Sequence, residues 1–163
     1  MRNRAGQPKT HSDPITLPLS LSLSLSLKVI AMIEGSCLCG KVTYTLSGQP
    51  QVMYYCHCSM CRKASGSSFA TNMLARAEDF VIVTGHSFLK AYESSPDEYR
   101  HFCSECGSPI YGVAAVRPGS VSIRCGSVDG DPGLRPSSHI YTASKAPWIA
   151  ITGPLPQFPE EPR

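Results

Sequence analysis

Cys56-His57-Cys58-Ser59-Met60-Cys61 places three thiols within six consecutive residues. A disulfide between such near neighbours would be strained. A metal ion accepts them readily, because two cysteines two or three positions apart reach one tetrahedral ion from a single tight turn. The pattern recurs on either side of this stretch. Cys37-Leu38-Cys39-Gly40 lies upstream and Cys103-Ser104-Glu105-Cys106-Gly107 lies downstream, while Cys125 stands alone. Gly40 and Gly107 suit the turns because glycine tolerates positive φ. Eight cysteines in 163 residues therefore read as metal ligands in a reducing compartment, and the expected location is the cytoplasm. Cys103-x-x-Cys106 by itself would also fit a redox pair, but the chain lacks the βαβ pattern of thioredoxin-like folds.

Seven clustered cysteines cannot complete two four-coordinate sites. The natural partition joins the two pairs, Cys37, Cys39, Cys103 and Cys106, into a closed site. Cys56, Cys58 and Cys61 then form a second site with an open position, the usual mark of a catalytic zinc. Other partitions exist, since Cys125 or His57 could supply a fourth ligand to the triplet. If the backbone is extended at His57, its side chain points away from the ion.

The sequence around these clusters is strand-like. Lys41 to Leu46, Val52 to Tyr55, Ser68 to Leu74, Phe80 to Thr84, Phe88 to Tyr92, Tyr99 to Cys103, Pro109 to Val113 and Val121 to Cys125 are short segments rich in β-formers. Only Ser59 to Ala64 and a segment near Ala77 read as helical turns. The fold class expected is mainly β, with small packed antiparallel sheets around two zinc sites and little helix. The hydrophobic fraction of 42% supports an ordinary core. The proline-rich end, Pro154 to Pro162, is expected to be an extended strap or a loose tail.

Residues 1–31 read differently. Leu17 to Leu27 is a strict Leu/Ser alternation of low complexity. A signal peptide would fit the basic residues ahead of it, but Ser breaks the apolar run and no clear small-x-small cleavage site follows. Met32 is expected to be the functional start, after a disordered extension. This extension carries four basic residues against one acid, so the net charge of +3 belongs to it. The remainder balances at eleven basic and eleven acidic residues. Seven thiolates on two Zn²⁺ ions would take that body to −3, so no nucleic-acid partner is expected. No apolar run approaches the ~20 residues of a bilayer span.

Gly35-Ser-Cys-Leu-Cys-Gly-Lys-Val-Thr-Tyr44, Cys56-His-Cys-Ser-Met-Cys-Arg-Lys63 and Phe102-Cys-Ser-Glu-Cys-Gly107 together resemble the glutathione-dependent formaldehyde-activating enzymes, whose domain centromere protein V-like proteins share. The resemblance runs from about Met32 to Phe158 and includes Cys125-Gly-Ser-Val-Asp129, His139-Ile140, Ala146-Pro-Trp148 and Leu155-Pro-Gln-Phe158. Residues 159–163 are left as a tail. The resemblance implies an Mss4-like β fold, a structural zinc on Cys37, Cys39, Cys103 and Cys106, and a catalytic-type zinc on Cys56, Cys58 and Cys61. It further implies carbon–sulfur lyase chemistry, forming or cleaving S-hydroxyalkyl adducts of glutathione-like thiols with aldehydes such as formaldehyde. A second function class is a non-enzymatic binding module for a protein or chromatin partner, with both zincs structural.

Other residues carry weaker expectations. Arg62 and Lys63 could offset the charge of the triplet, hold a substrate carboxylate, or lie on the surface. Ser65 to Ser68 reads as a plain loop. Cys125 is expected as a buried thiol and His101 as a packed strand residue. Trp148 is expected as a core anchor, with a pocket wall as the other reading. Tyr54 or Tyr55 could line a pocket, core packing being the default.

Overall fold

The computed structural model describes residues 32–162. The expected extension over residues 1–31 lies outside the described residues. The fold is mainly β, with one short α-helix and two sheets. The first sheet has the order β10-β1-β2-β5, where β1 is Ile33–Ser36, β2 is Thr43–Leu46, β5 is Phe80–Thr84 and β10 is Val128–Asp129. The second has seven strands in the order β11-β3-β4-β9-β8-β7-β6. Here β3 is Val52–Cys56, β4 is Ala70–Arg76, β6 is Leu89–Ser95 and β7 is Glu98–Cys103. Pro109–Ala114 forms β8, Ser120–Arg124 forms β9 and His139–Ile140 forms β11. Among the described residues the strand pairings are antiparallel except that of β11 with β3, and the isolated bridge from His139 to Gln157 is parallel as well.

Alternation along the strands decides which side chains meet between the sheets. From the first sheet, Tyr44 and Leu46 are buried, with Val42 just ahead of them. From the second come Met53, Met73, Ala75, Val121 and Ile123. Removing each of the larger aliphatic side chains from water contributes ~1.5–3 kcal/mol. Phe80 links the layers, with its ring 5.1 Å from Tyr44 and 4.9 Å from Tyr111.

The opposite face of the second sheet is polar. Tyr54, Cys56, Asn72, Ser122, Arg124, Gly112 and Arg100 alternate with the core residues and stand on neighbouring strands in register. This face positions the site. It is bordered by α1, Ser59–Ser65, and by the proline-rich end. That end is an extended strap: His139 donates its N–H to Pro156 O, and Phe158 N–H donates back to His139 O, both at 2.8 Å. Thr142 and Ala143 donate to the carbonyls of Phe158 and Pro159. No helix among the described residues is long and apolar enough to cross a membrane.

Candidate metal centres

All eight cysteines are free thiols. Seven of them gather into two groups, Cys37/Cys39/Cys103/Cys106 and Cys56/Cys58/Cys61, with the sulfurs of each group within 4.8 Å of one another. The first group joins two hairpin turns, one from each sheet. Gly40 (φ 73°) and Gly107 (φ 74°) close these turns, with Gly40 N–H donating to Cys37 O and Gly107 N–H to Cys103 O. A side chain in that left-handed region would be strained, so the glycine after each pair is a requirement of the turn. Lys41 pairs with Glu105 across the same two turns at 2.6 Å, and Leu38 N–H donates to Ser108 Oγ.

The donor set fits zinc. Four Zn–S bonds of ~2.3 Å at tetrahedral angles put sulfurs about 3.8 Å apart. Cys37 Sγ lies 3.5 Å from Cys39 Sγ, which lies 3.8 Å from Cys103 Sγ. The Ser108 hydroxyl and backbone beside Cys106 lower its thiol pKa to about 6, so this sulfur is readily available as a thiolate ligand.

The triplet is built where β3 runs into α1. Cys56 ends the strand, Cys58 is the N-cap and Cys61 lies in the first helical turn. Cys58 Sγ accepts the Cys61 N–H at 3.3 Å, satisfying one of the free donors at the helix start. Hydrogen bonds from Cys56 and Cys58 hold Cys61 as a thiolate and pull its pKa down to about 2, with Arg124 and Arg100 adding to the effect. Cys56 is pushed strongly up by the same crowding and by burial. Three sulfurs that share protons in this way offer a cation a concentrated negative charge.

Neither His57 nor Cys125, the two alternatives for a fourth ligand, joins the triplet. His57 is fully buried (0% exposed), and its Nε2 lies 2.9 Å from Nδ1 of His139. The side chain turns from the sulfurs toward His139 of β11. Cys125 belongs to neither sulfur group, and burial pushes its thiol up to about 12, so it stays protonated. His101 stacks on Tyr111 with centroids 4.1 Å apart.

Beside the triplet, the polar face forms a cleft of about 240 Å³. Cys56, Cys58 and Cys61 stand in its wall together with Arg100, Arg117 and Arg124. Arg100 Nη1 approaches Cys61 Sγ to 3.8 Å, and its buried Nε has no partner. Arg124 donates to Asn72 Oδ1, and Arg117 pairs with Glu161 of the strap. Of the adjacent pair, Tyr54 lines the cleft, as Tyr99 and Tyr141 also do; Tyr55 packs on Phe69 and His139.

Of the readings open for Arg62 and Lys63, neither side chain stands in the wall of the cleft: Arg62 donates to the carbonyls of His57 and Ser144, and Lys63 is exposed. One expectation needs correction. Trp148 is no core anchor, being 71% exposed. It stands in a separate shallow groove beside Arg62 and Lys63, because Pro147-Trp148 lies in a turn outside both sheets. The cations of the cleft were missed because they come from β7, β9 and the turn between β8 and β9. The available signal was an arginine at the polar-face position of two alternating strands, Tyr99-Arg100-His101 and Ser122-Ile123-Arg124.

A family model described as glutathione-dependent formaldehyde-activating enzyme matches residues 32–144. A protein of Halomonas elongata whose name carries the same description is 33% identical over 129 residues, covering 74% of this chain and 81% of that protein. The crystal structure of a Rhodobacter sphaeroides protein is similar in fold, with a TM-score of 0.52 and 25% identity. That likeness covers 60% of this chain and 89% of the other.

Proposed function

The chain belongs to the glutathione-dependent formaldehyde-activating enzyme family, and on that basis we propose that it is a zinc-dependent carbon–sulfur lyase acting on S-hydroxyalkyl adducts of glutathione. The observation that carries this reading is the three-sulfur group in the wall of an arginine-lined cleft. Cys37, Cys39, Cys103 and Cys106 would hold a structural zinc. Cys56, Cys58 and Cys61 would hold the second. A zinc ion on three sulfurs supplies a fourth coordination position at which an incoming thiol is favoured as its thiolate near neutral pH.

In the forward direction thiol and aldehyde give the S-hydroxyalkyl adduct. A C–S bond forms as the carbonyl π bond breaks, and the thiol proton ends on the former carbonyl oxygen. The reverse cleaves the C–S bond and returns both reactants. The chain's own contribution is binding and orientation. Glutathione carries a glycyl and a glutamyl carboxylate, and guanidinium groups suit carboxylates through paired, charge-assisted hydrogen bonds. Arg100 is the best placed, between the sulfurs and the body of the cleft. Its guanidinium stands in the cleft wall with Nη1 3.8 Å from Cys61 Sγ, where its cleft-facing N–H groups would pair with a bound carboxylate. Tyr54, which burial keeps protonated, adds a hydroxyl to the same wall.

Magnetisation-exchange NMR on glutathione with formaldehyde tests the activity directly. The zinc-loaded chain should accelerate adduct exchange above the uncatalysed background, and no acceleration would contradict the assignment. Arg100→Gln should raise the KM for glutathione about tenfold or more. It should leave the KM for an uncharged thiol such as 2-mercaptoethanol little changed. An equal effect on both thiols would mean that Arg100 does not bind the carboxylate.

Among the described residues no fourth His, Cys, Asp or Glu gathers with the triplet, which favours the enzyme over the binding-module reading. The free thiols throughout favour a reducing compartment, in keeping with a cytoplasmic location.

A further inference from the structure

A second and larger cavity, of about 650 Å³, borders the same cysteine triplet. Cys61 and Arg124 stand in its wall as well as in that of the arginine cleft. Asn72 faces the cleft and Thr71 faces the second cavity. Both spaces therefore border β4 and reach Cys61, the cleft past Asn72 and the second cavity past Ala70 and Thr71.

Their chemistry differs. The cleft presents three guanidinium groups and the carboxylates of Glu98 and Glu161, which suits a charged, zwitterionic thiol. The second chamber has one cation, Arg124, and one acid, Asp129. Asp129 is already bonded to the Ser36 hydroxyl. The rest of its polar wall is hydroxyl groups, among them Ser67, Thr71 and Ser127.

Size is the second observation. Formaldehyde has two heavy atoms and needs little more room than a water molecule, whose share of liquid volume is ~30 Å³. A chamber of 650 Å³ falls instead in the ~300–1,000 Å³ range of pockets that enclose whole organic ligands. We propose that this chamber is the subsite for the carbonyl reactant, and that it takes a neutral, polyhydroxylated aldehyde. The inference rests on the reading of the arginine cleft as the thiol subsite. The bond changes are those given above: the C–S bond forms, the carbonyl π bond breaks and the thiol proton passes to the carbonyl oxygen. The remaining hydroxyls of the aldehyde exchange water for the hydroxyls of the wall, which removes the cost of burying them unpaired.

Gly126 supplies a clean test. It borders the chamber, and a Cβ built there meets nothing within 4 Å. Gly126→Leu therefore adds a side chain at the border of the chamber, starting from a Cβ in open space. Thr71→Val removes one hydroxyl while keeping the shape. The metal-loaded full chain would be assayed with glutathione and formaldehyde, glyceraldehyde or erythrose, each rate divided by its uncatalysed rate. The wild-type acceleration should be at least ~10-fold greater for the two hydroxyaldehydes than for formaldehyde. Gly126→Leu should lower that preference by ~10-fold, and Thr71→Val by a few-fold, about one neutral hydrogen bond. Circular dichroism establishes that both variants fold. Acceleration with formaldehyde but not with hydroxyaldehydes would overturn the chamber assignment while leaving the lyase reading intact. So would variants that affect all three aldehydes equally. Failure to accelerate any aldehyde would overturn the lyase reading, and this inference with it.

Discussion

Cys58→Ser should yield a folded protein that holds one zinc ion per chain instead of two and loses more than ~100-fold in turnover. The fold survives because of where Cys58 stands. It is the N-cap of α1, and its sulfur accepts the Cys61 N–H. Serine is among the best N-cap residues, so the cap is kept. The core between the sheets lies on the other face of β3 and β4 and is untouched. The metal is lost because a hydroxyl is a poor substitute for a thiolate on zinc, leaving two good ligands. The size of the rate loss follows from a lower bound: residues that merely orient metal ligands cost ~10–100-fold when mutated, and Cys58 is placed as a ligand itself. Metal analysis, thermal unfolding and adduct-exchange NMR on one sample check all three parts. A variant that keeps two zinc ions and full turnover would remove the triplet from the mechanism.

Cys103→Ser has the opposite signature, with the fold lost before activity can be asked about. Cys103 is fully buried at the end of β7, with its sulfur 3.8 Å from that of Cys39 in the other sheet's hairpin. A zinc ion there would tie the two sheets together where the hydrophobic core ends. Structural zinc binding is folding free energy, ~10–16 kcal/mol in small zinc domains. A domain's entire net stability is ~5–15 kcal/mol. Losing a large part of the first exceeds the second. The expected result is little soluble protein, no near-ultraviolet circular dichroism and no cooperative thermal transition. A variant that unfolds cooperatively within a few degrees of wild type would show that the four-cysteine group is dispensable for folding.

These two outcomes separate the groups that the cysteine spacing also separates. The division was legible because each cluster is local in sequence: one or two residues between ligands fix a turn, and Gly40 and Gly107 mark where it closes. Phe80–Thr84 was legible at both ends, since five β-formers stop at Gly85. Ser59 to Ala64 was legible as a helical turn and is realised as Ser59–Ser65. β1, β10 and β11 were not. Ile33–Ser36 contains a glycine and only four residues, and the other two strands have two residues each. Such segments are extended because a partner strand holds them, which no local pattern records. The three arginines of the cleft were hidden for a related reason. They lie at 100, 117 and 124, and only the β7-β8-β9 pairing brings them to one face. The His57–His139 contact spans 82 positions and depends on the parallel pairing of β11 with β3.

The central claim is that the triplet is an open, thiol-binding metal site, and cobalt substitution tests it most directly. Protein purified under reducing, chelator-free conditions should bind two metal ions per chain. Titration of the cobalt-substituted protein with glutathione should add a sulfur-to-cobalt charge-transfer band that saturates at one thiol per chain and is absent in Cys58→Ser. Two bound metals with a spectrum indifferent to glutathione would contradict the claim.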